Sequence, residues 1–436
     1  MKINPPLKST AWLLLEKAVY LLISFVVTVA LARYLQPTQF GNLNYLLALI
    51  ALFLPIMSLG LNSIVSRELL LRPAAADKIM GSSLFLRFIA SVSVVLVVVG
   101  FSGTYLAGDN QILFAILMVA SVASAGQTID FWLQAKLANH YAVLMRLLVL
   151  IGFSLMRLFA IYETAKFPVF IYLIAAELTI TGLLYLVIYQ RLSGRLLELK
   201  INSGEIKRLW RDSRWLLMSG IAAVIYLKID QVMLGVMVDN YAVGVYAAAA
   251  RVSEVWYFIP AAIVTSFFPK LVRNKQVAAA TYQVDIQKLN DILLIFAVSI
   301  AVLMTIIGDD LVAWLFGPSY SESSPIVLVH IWGAVFVFMR ELFSKWLLAE
   351  SLLTFSLLSQ GLGALANVAL NYFLIPTYGA LGAAYATVIS YSIAGYLVLL
   401  IHPKLWPMAR IITKSFLLPL RFARYGKRLY SMSDSN

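Results

Sequence analysis

Charged side chains inside long apolar stretches are the groups of this sequence that could do chemistry. Lys228 and Asp230 lie in one such stretch, and Arg251 and Glu254 lie in the next one, after a short turn. A charged residue at the middle of a membrane helix costs about 2.5–3.5 kcal/mol on insertion scales, so it normally faces other helices or a wet cavity. Arg251 and Glu254 share a helix face and can pair, whereas Lys228 and Asp230 each need a partner on another helix. The four charges predict a polar interior shared between helices.

Other apolar stretches also carry charges, and several of these have a purely structural explanation. Lys17, Arg146 and Arg157 lie within about two turns of a predicted helix end, where a long cationic side chain can reach the lipid headgroups. Glu341 and Lys345 are four residues apart in the favourable order, which favours a local ion pair. The charges that structure alone explains less well are candidates for function: Arg87, Glu177, Lys228, Asp230, Arg251, Glu254 and Arg340.

The composition indicates an integral membrane protein. Of the 436 residues, 61% are hydrophobic and only 13% are charged, and the mean hydropathy is +0.87. A soluble domain is about half apolar and about a quarter charged. The chain contains no cysteine, which excludes disulfides and thiolate metal sites. The sequence has no phosphate-binding P-loop, no metal-ligand spacing among its histidines and no Ser-His-Asp spacing, so we expect neither an enzyme nor a bound cofactor.

Hydrophobic segments long enough to cross a bilayer recur along the chain. A span requires about 20 predominantly apolar residues. Tyrosine and tryptophan occur near many segment ends, where a belt at the membrane interface places them. We therefore predict an all-α integral membrane protein with twelve transmembrane helices, at about 11–32, 43–65, 80–102, 112–135, 141–162, 167–190, 215–238, 243–268, 291–307, 325–349, 352–375 and 380–402.

Lysine and arginine are distributed unequally between the two sets of loops. With the N-terminus inside, the external loops hold only Arg33 and Lys166, and the other loop cations fall inside. Cytoplasmic loops carry such an excess of Lys and Arg, so we predict that both termini are cytoplasmic. The formal charge of +13 is then mostly a signature of this orientation, with attraction to anionic lipid as a further effect. It does not indicate a nucleic-acid partner.

A polar linker at 191–214 divides the predicted helices into two sets of six. Because each set has an even number of spans, the two sets would lie the same way up, related by an axis along the membrane normal. Trp12 and Trp215, and likewise Gly41 and Gly244, recur at the same offset of 203 residues. Two such matches alone do not establish a repeat. The predicted parts are an N-terminal lobe at 1–200, a C-terminal lobe at 201–403 and a basic cytoplasmic tail at 404–436.

Several stretches of the sequence resemble the polysaccharide-transport branch of the multidrug/oligosaccharidyl-lipid/polysaccharide (MOP) exporter superfamily. The turn after the first predicted helix reads ARYLQPTQFG at 32–41, and SLG and SRE follow within 58–68. The seventh and eighth helices carry DQVMLG at 230–235 and VGVY at 243–246, and the last pair carries LIPTYGALGAAYAT at 374–387. The likeness covers nearly the whole chain.

This resemblance implies a flippase with a MATE-like fold, in which two six-helix lobes surround a central cavity. Members of this branch move an undecaprenyl-pyrophosphate-linked oligosaccharide, such as an O-antigen unit of lipopolysaccharide, to the outer leaflet of the bacterial cytoplasmic (inner) membrane. The pyrophosphate head is anionic, and arginine offers an always-ionised donor fork that suits phosphate. We therefore expect cations of the cavity to bind it. The predicted substrate-binding residues are Arg87, Lys228, Arg251, Arg340, Arg146 and Lys17.

An ionisable acid inside the membrane could couple alternating access to a proton or Na⁺ gradient. The predicted ion-coupling residues are Asp230, Glu254 and Glu177. Each acid could equally be the counter-ion that holds a cavity arginine in place. The expected partners are the lipid-linked oligosaccharide, membrane lipids and other polysaccharide-assembly membrane proteins.

Other classes of membrane protein stay open as alternatives. A drug/cation antiporter of the same superfamily would have an acid-dominated cavity, whereas cations slightly outnumber acids within these spans. A lipid II flippase typically has two more helices. A major facilitator sugar porter also has two six-span lobes, but its basic glycine-containing loop after the second span is missing here. A membrane-embedded polymerase or ligase generally needs a large external loop, and the longest one here, at 308–324, is short.

Overall fold

A computed structural model describes residues 5–104, 106, 108–193, 196–277 and 279–421, and these residues are helical almost throughout. Helices suit such apolar stretches because they satisfy every backbone hydrogen bond within the segment. The helices are α1 (Pro5–Ser58), α2 (Asn62–Leu71), α3 (Ala76–Phe101), α4 (Asp109–Ser121), α5 (Thr128–Ala135), α6 (Asn139–Tyr162), α7 (Phe167–Ser193), α8 (Ser203–Met237), α9 (Asn240–Glu254), α10 (Phe258–Val277), α11 (Ala279–Phe316), α12 (Ser323–His330), α13 (Gly333–Ala349), α14 (Thr354–Gly395) and α15 (Trp406–Phe416).

Within the described residues, ten helical stretches are long and apolar enough to cross a membrane. Two of these stretches contain a break. The backbone of α1 leaves the helical conformation at Gln36, where φ is 57°, and that of α14 does so at Gly379, where φ is 55°. Counting the two sides of each break separately gives the twelve predicted transmembrane helices, and the all-α membrane fold is confirmed.

Packing divides the chain into two compact units, Met1–Gly244 and Val245–Asn436. In the first unit, α1 packs against α6 and α8, and α7 packs against α4 and α6. A 3₁₀ segment, Val122–Gln127, separates α4 from α5 and also packs against α7. A buried hydrophobic cluster joins α2 to α5, with Val65 and Ile129 fully enclosed. Burial of this apolar surface is what holds the short α2 against the unit.

Two glycines allow α1 and the start of α9 to approach at backbone distance. A Cβ on Gly41 would lie 1.7 Å from the carbonyl oxygen of Asn240, and a Cβ on Gly244 would lie 2.0 Å from that of Pro37. No other residue type fits at such a distance, which explains why both positions hold glycine.

In the second unit, α11 packs against α10, α12, α13 and α15, and α13 also packs against α10 and α14. The two halves of α14 lie side by side, since Ser359 Oγ donates a 2.7 Å hydrogen bond to the carbonyl of Ala394. The predicted basic tail begins with α15, and its residues 422–436 lie outside the described part of the chain.

Candidate functional site

Lys228 and Asp230 lie on α8 and differ in exposure. Lys228 is half-buried, and it makes no ion pair or hydrogen bond with any residue that the structure describes. Asp230 is buried, with 3% of its surface exposed. Because the two residues are two positions apart, their side chains point in different directions. The α8 helix therefore carries an ammonium group without a counter-ion from the described residues.

Arg251 and Glu254 lie in the last turn of α9. Arg251 is exposed and Glu254 is half-buried. The expected ion pair between them is not formed, and neither side chain pairs with another described residue. A pair at this spacing contributes only about 0.2–0.5 kcal/mol, so the spacing alone does not hold two long side chains together. The Arg251 guanidinium is free to meet an external anion.

The helix α13 carries Arg340, which is half-buried. Glu341 and Lys345 lie on the same helix, and the local ion pair predicted from their spacing is absent among the described contacts. Instead, the Lys345 ammonium lies 5.9 Å from the centroid of the Phe268 ring on α10, which is a cation–π distance. The Lys345 ammonium therefore contacts the Phe268 ring and not the predicted Glu341 carboxylate.

Arg87 is enclosed by α3, α5 and the 3₁₀ segment Val122–Gln127. It is 4% exposed. Its guanidinium donates to the carbonyl of Ser124 at 3.1 Å and to Thr128 Oγ1 at 3.3 Å, and its Cζ lies 5.7 Å from the centroid of the Phe131 ring. All of these partners are neutral. A 3₁₀ stretch between helices often marks a hinge. The hydrogen bond to Ser124 shows that Arg87 connects α3 to this 3₁₀ segment.

Arg146 is held by acids from other helices. It donates to Glu16 Oε2 at 2.8 Å, to Asp130 Oδ1 at 3.0 Å and to the Tyr185 hydroxyl at 2.6 Å. These partners lie on α1, α5 and α7, so a single guanidinium on α6 links four helices. Lys17, the neighbour of Glu16 in sequence, is exposed and pairs with no described acid.

Glu177 on α7 forms an ion pair with Arg157 on α6. This candidate coupling acid therefore already has a counter-ion. Among the predicted cations, Lys228 and Arg251 share the property that an anion could bind them without first breaking an ion pair with a described residue. Lys17 on α1 has the same property, so Lys228, Arg251 and Lys17 are the predicted cations that an anionic ligand could bind most directly.

A cluster at the junction of α2 and α8 was missed by the sequence analysis. The buried carboxylate of Glu68 forms ion pairs with three arginines, Arg67 at 2.9 Å, Arg72 at 2.8 Å and Arg208 at 3.0 Å. Arg72 also forms two bonds of 2.8 Å to Glu205, and these raise the pKa of the Arg72 guanidinium above its usual value. We call these five residues the Glu68 cluster. The sequence signal, an excess of loop arginines, indicated orientation and not pairing.

A buried polar chain crosses the second unit. The Asn371 amide donates to the Asn367 side-chain oxygen at 3.0 Å, and Asn367 donates to Ser390 Oγ at 3.3 Å. Ser390 Oγ donates to the Thr387 carbonyl at 2.9 Å, and Thr387 Oγ1 lies 3.0 Å from the Tyr246 hydroxyl. Asn367 and Ser390 lie on the two sides of the break in α14, so their hydrogen bond joins the two halves of that helix. The described residues include no group of three or more acids and histidines that could hold a metal ion.

Comparison with known proteins relates most of the chain to one family. Residues 7–275 match the family model described as polysaccharide biosynthesis protein. Two curated proteins of Haloferax volcanii are similar: the probable flippase AglR is 29% identical over 210 residues, and the probable low-salt glycan biosynthesis flippase Agl15 is 22% identical over 193 residues. These matches cover 45% and 43% of this chain, and 41% and 40% of those proteins. The chain thus matches less than half of the length of these relatives.

The fold is shared with solved transporters over nearly the whole chain. An inward-facing multidrug resistance MATE family transporter of the MOP superfamily has a TM-score of 0.74 at 14% identity, with 90% of this chain and 94% of that chain covered. The lipid II flippase MurJ, in an inward closed conformation, has a TM-score of 0.70 at 14% identity, with 92% and 90% covered. A MOP superfamily transporter from Pyrococcus furiosus, characterised by the reverse polarity of its binding pocket, has a TM-score of 0.57 at 15% identity, with 92% and 93% covered. The MATE-like fold expected from the sequence is confirmed.

Proposed function

Because the chain belongs to the polysaccharide biosynthesis protein family, we propose that it is a flippase that carries a lipid-linked oligosaccharide across the membrane. The observation that carries this proposal is the pair of cations Lys228 and Arg251, which lie without counter-ions from the described residues on helices long and apolar enough to span a membrane. The names of the two archaeal relatives support the same class of activity.

The chemistry of the two cations suits a pyrophosphate head group. A lone cation in an apolar span raises the free energy of the empty protein, and a bound phosphate offsets that cost through charge-assisted hydrogen bonds. The Arg251 guanidinium can bind two phosphate oxygens as a planar fork, and the Lys228 ammonium acts as a compact point charge. The glycan would travel in the wet cavity while the prenyl tail stays in lipid.

The remaining predicted cations contribute in different ways under this proposal. Lys17 is exposed and open to a ligand, whereas Arg340 is half-buried and already interacts within the described chain. Arg146 would first have to exchange Glu16 and Asp130 for the head group. Arg87 would have to leave its neutral partners in the helix packing, and we assign it the least direct role.

At the finer level, we propose an undecaprenyl-pyrophosphate carrier with an O-antigen or related repeat unit as the cargo. The proposed location is the bacterial cytoplasmic membrane, with both termini in the cytoplasm, and the unequal distribution of loop cations supports this orientation. Transport would proceed by rocking of a lobe at 1–200 against a lobe at 201–403. The protein would act as a transporter and not as an enzyme, in agreement with the names of its relatives.

Ion-gradient coupling is a separate proposal that rests on three acids. Asp230 is buried, so a coupling ion would reach it only in a conformation that admits water to this part of α8. Glu254 is half-buried and has no ion pair with described residues, so a coupling ion could reach its carboxylate without displacing an ion-pair partner. Glu177 is already neutralised by Arg157, which makes it a weaker candidate than the other two.

A drug/cation antiporter is the second candidate, favoured by the fold shared with the multidrug MATE transporter. Such a protein would present free acids to a cationic substrate. Here Arg146 pairs with Glu16 and Asp130, and Arg157 pairs with Glu177. Glu254 has no ion pair among the described residues, and neither have Lys228, Arg251 and Lys17. The larger number of such cations in the predicted set supports an anionic cargo over a cationic one.

The proposal is tested by removing the two free cations. Lys228→Gln and Arg251→Gln are expressed in a host whose surface glycan depends on this gene, and lipid-linked oligosaccharide is quantified in each leaflet. We expect loss of surface glycan and accumulation on the inner leaflet, with unchanged membrane insertion. Lys207→Gln and Arg273→Gln remove the same charge from exposed positions on α8 and α10, and both should transport normally. Normal glycan in both test variants would refute a cationic binding site.

A further inference from the structure

The helix α15 has two chemically different faces. Met408, Ile412 and Ser415 are buried against α11. Arg410 and Lys414 are one turn apart on the opposite, exposed face, and neither pairs with a described acid. The α15 helix therefore packs on the protein through one face and presents two basic side chains without described counter-ions on the other.

An apolar slot opens at the end of α15. It lies between α11, α13 and the segment that follows α15, and its volume is about 500 Å³. This volume falls in the range of about 300–1,000 Å³ that is typical of ligand pockets. Val298, Trp332, Phe336 and Phe416 are among its lining residues. Trp332 and Phe416 are 40% and 36% exposed, so the slot is open to its surroundings and not sealed in the core.

The slot borders a polar cluster about one helical turn away on α11. Asp291 accepts from Ser415 Oγ at 2.6 Å and from Arg421 at 3.1 Å, and Gln287 donates to the same carboxylate at 2.9 Å. Asp291 thus neutralises Arg421. Arg421 also donates to the Lys414 carbonyl at 3.2 Å, so the Lys414 end of α15 lies beside this cluster. Arg410 and Lys414 have no counter-ion among the described residues, and α15 therefore brings uncompensated positive charge to the helix end at which the slot opens.

We propose that this place binds an anionic membrane phospholipid, with an acyl chain in the slot and the phosphate on Arg410 and Lys414. The slot is apolar where a hydrocarbon chain would lie, and the charge excess has the sign that an anionic headgroup requires. A zwitterionic lipid gains the same burial of its chain but much less from the two cations. The site is separate from the proposed cargo-binding cations and does not depend on the proposed function.

The test uses the full-length protein in detergent, titrated with dioleoyl-phosphatidylglycerol or dioleoyl-phosphatidylcholine and followed by native mass spectrometry. The wild-type protein should bind phosphatidylglycerol at least about tenfold more tightly, given the contribution of each basic residue near an anionic headgroup. The double variant Arg410→Gln/Lys414→Gln should lose this preference. The matched double variant Lys207→Gln/Arg273→Gln, which removes the same charge elsewhere, should keep it.

The slot itself is tested by filling it. Val298→Trp should weaken binding of both lipids, whereas Leu303→Trp, at an exposed position on the same helix outside the slot, should have no effect. Equal binding of the two lipids by the wild-type protein would overturn the proposal, and so would unchanged binding in Val298→Trp. Displacement of phosphatidylglycerol by undecaprenyl phosphate at equal concentration would assign the slot to a prenyl lipid and overturn it as well.

Discussion

Gly41 on α1 contacts Asn240, and Gly244 on α9 contacts Pro37. Asn240 lies four residues before Gly244, and Pro37 lies four residues before Gly41. The offset of 203 residues that separates the two glycines also separates Pro37 from Asn240. The two contacts are therefore reciprocal, because each glycine faces a backbone carbonyl of the other helix.

Alanine at either glycine of this crossing should destabilise the protein. The added methyl group would overlap a backbone carbonyl, and overpacking costs about 1–3 kcal/mol even where side chains can move. We expect Gly41→Ala and Gly244→Ala to lower the free energy of unfolding by at least this amount, measured by denaturant titration in detergent. Gly361→Ala is the control, because a Cβ there meets no atom within 4 Å. Equal stability of all three variants would contradict the close crossing.

The Glu68 cluster should contribute measurably to stability. Glu68→Gln removes the buried negative charge shared by three arginines, and hydrogen bonds to charged groups contribute about 1.5–3 kcal/mol. We expect destabilisation of this order and faster hydrogen exchange in α2. Asp212→Asn disturbs a 3.3 Å pair in which Arg67 is 53% exposed, and such a pair contributes less than about 1 kcal/mol. A Glu68→Gln effect no larger than that of Asp212→Asn would show that the cluster is only a surface feature.

Arg146 should be needed for folding as well as for any role in transport. Arg146→Met leaves Glu16 and Asp130 without their counter-ion. Breaking a fully buried pair from one side costs about 3–5 kcal/mol, and we expect a smaller loss here because these pairs are partly buried. Adding Glu16→Gln should restore part of the loss, which a double-mutant cycle measures. Lys270→Met, which removes a pair with 52% exposure of the lysine, should cost little. If the added Glu16→Gln brought no recovery, the ion pair would not be the source of the stability.

The sequence was sufficient to predict the helices and the positions of the breaks between them. Hydropathy predicted twelve spans, and the structure adds that the first turn is made at Gln36 and the last at Gly379 without ending the helical run. Hydropathy succeeds because an apolar span must satisfy its backbone within itself, so local composition decides the outcome.

The pairing of charges could not be read from the sequence in the same way. Spacing predicted a pair between Arg251 and Glu254 that does not form, and it gave no sign that Arg146 would meet Glu16, which lies 130 positions away. Neighbours on one helix face interact weakly. Partners that are buried together by tertiary packing interact strongly, and only the arrangement of the helices brings them into contact.

The three arginines of the Glu68 cluster belong to the same loop cations that predict the orientation of the chain. While the chain inserts, each counts fully as a positive charge, because acidic residues contribute little to that signal. Once α2 and α8 have packed, Glu68 and Glu205 compensate much of the same charge. The same arginines would therefore first direct the orientation of the chain in the membrane and later stabilise the packing of α2 on α8. Removing the Glu68 carboxylate should leave the orientation unchanged and weaken the packing.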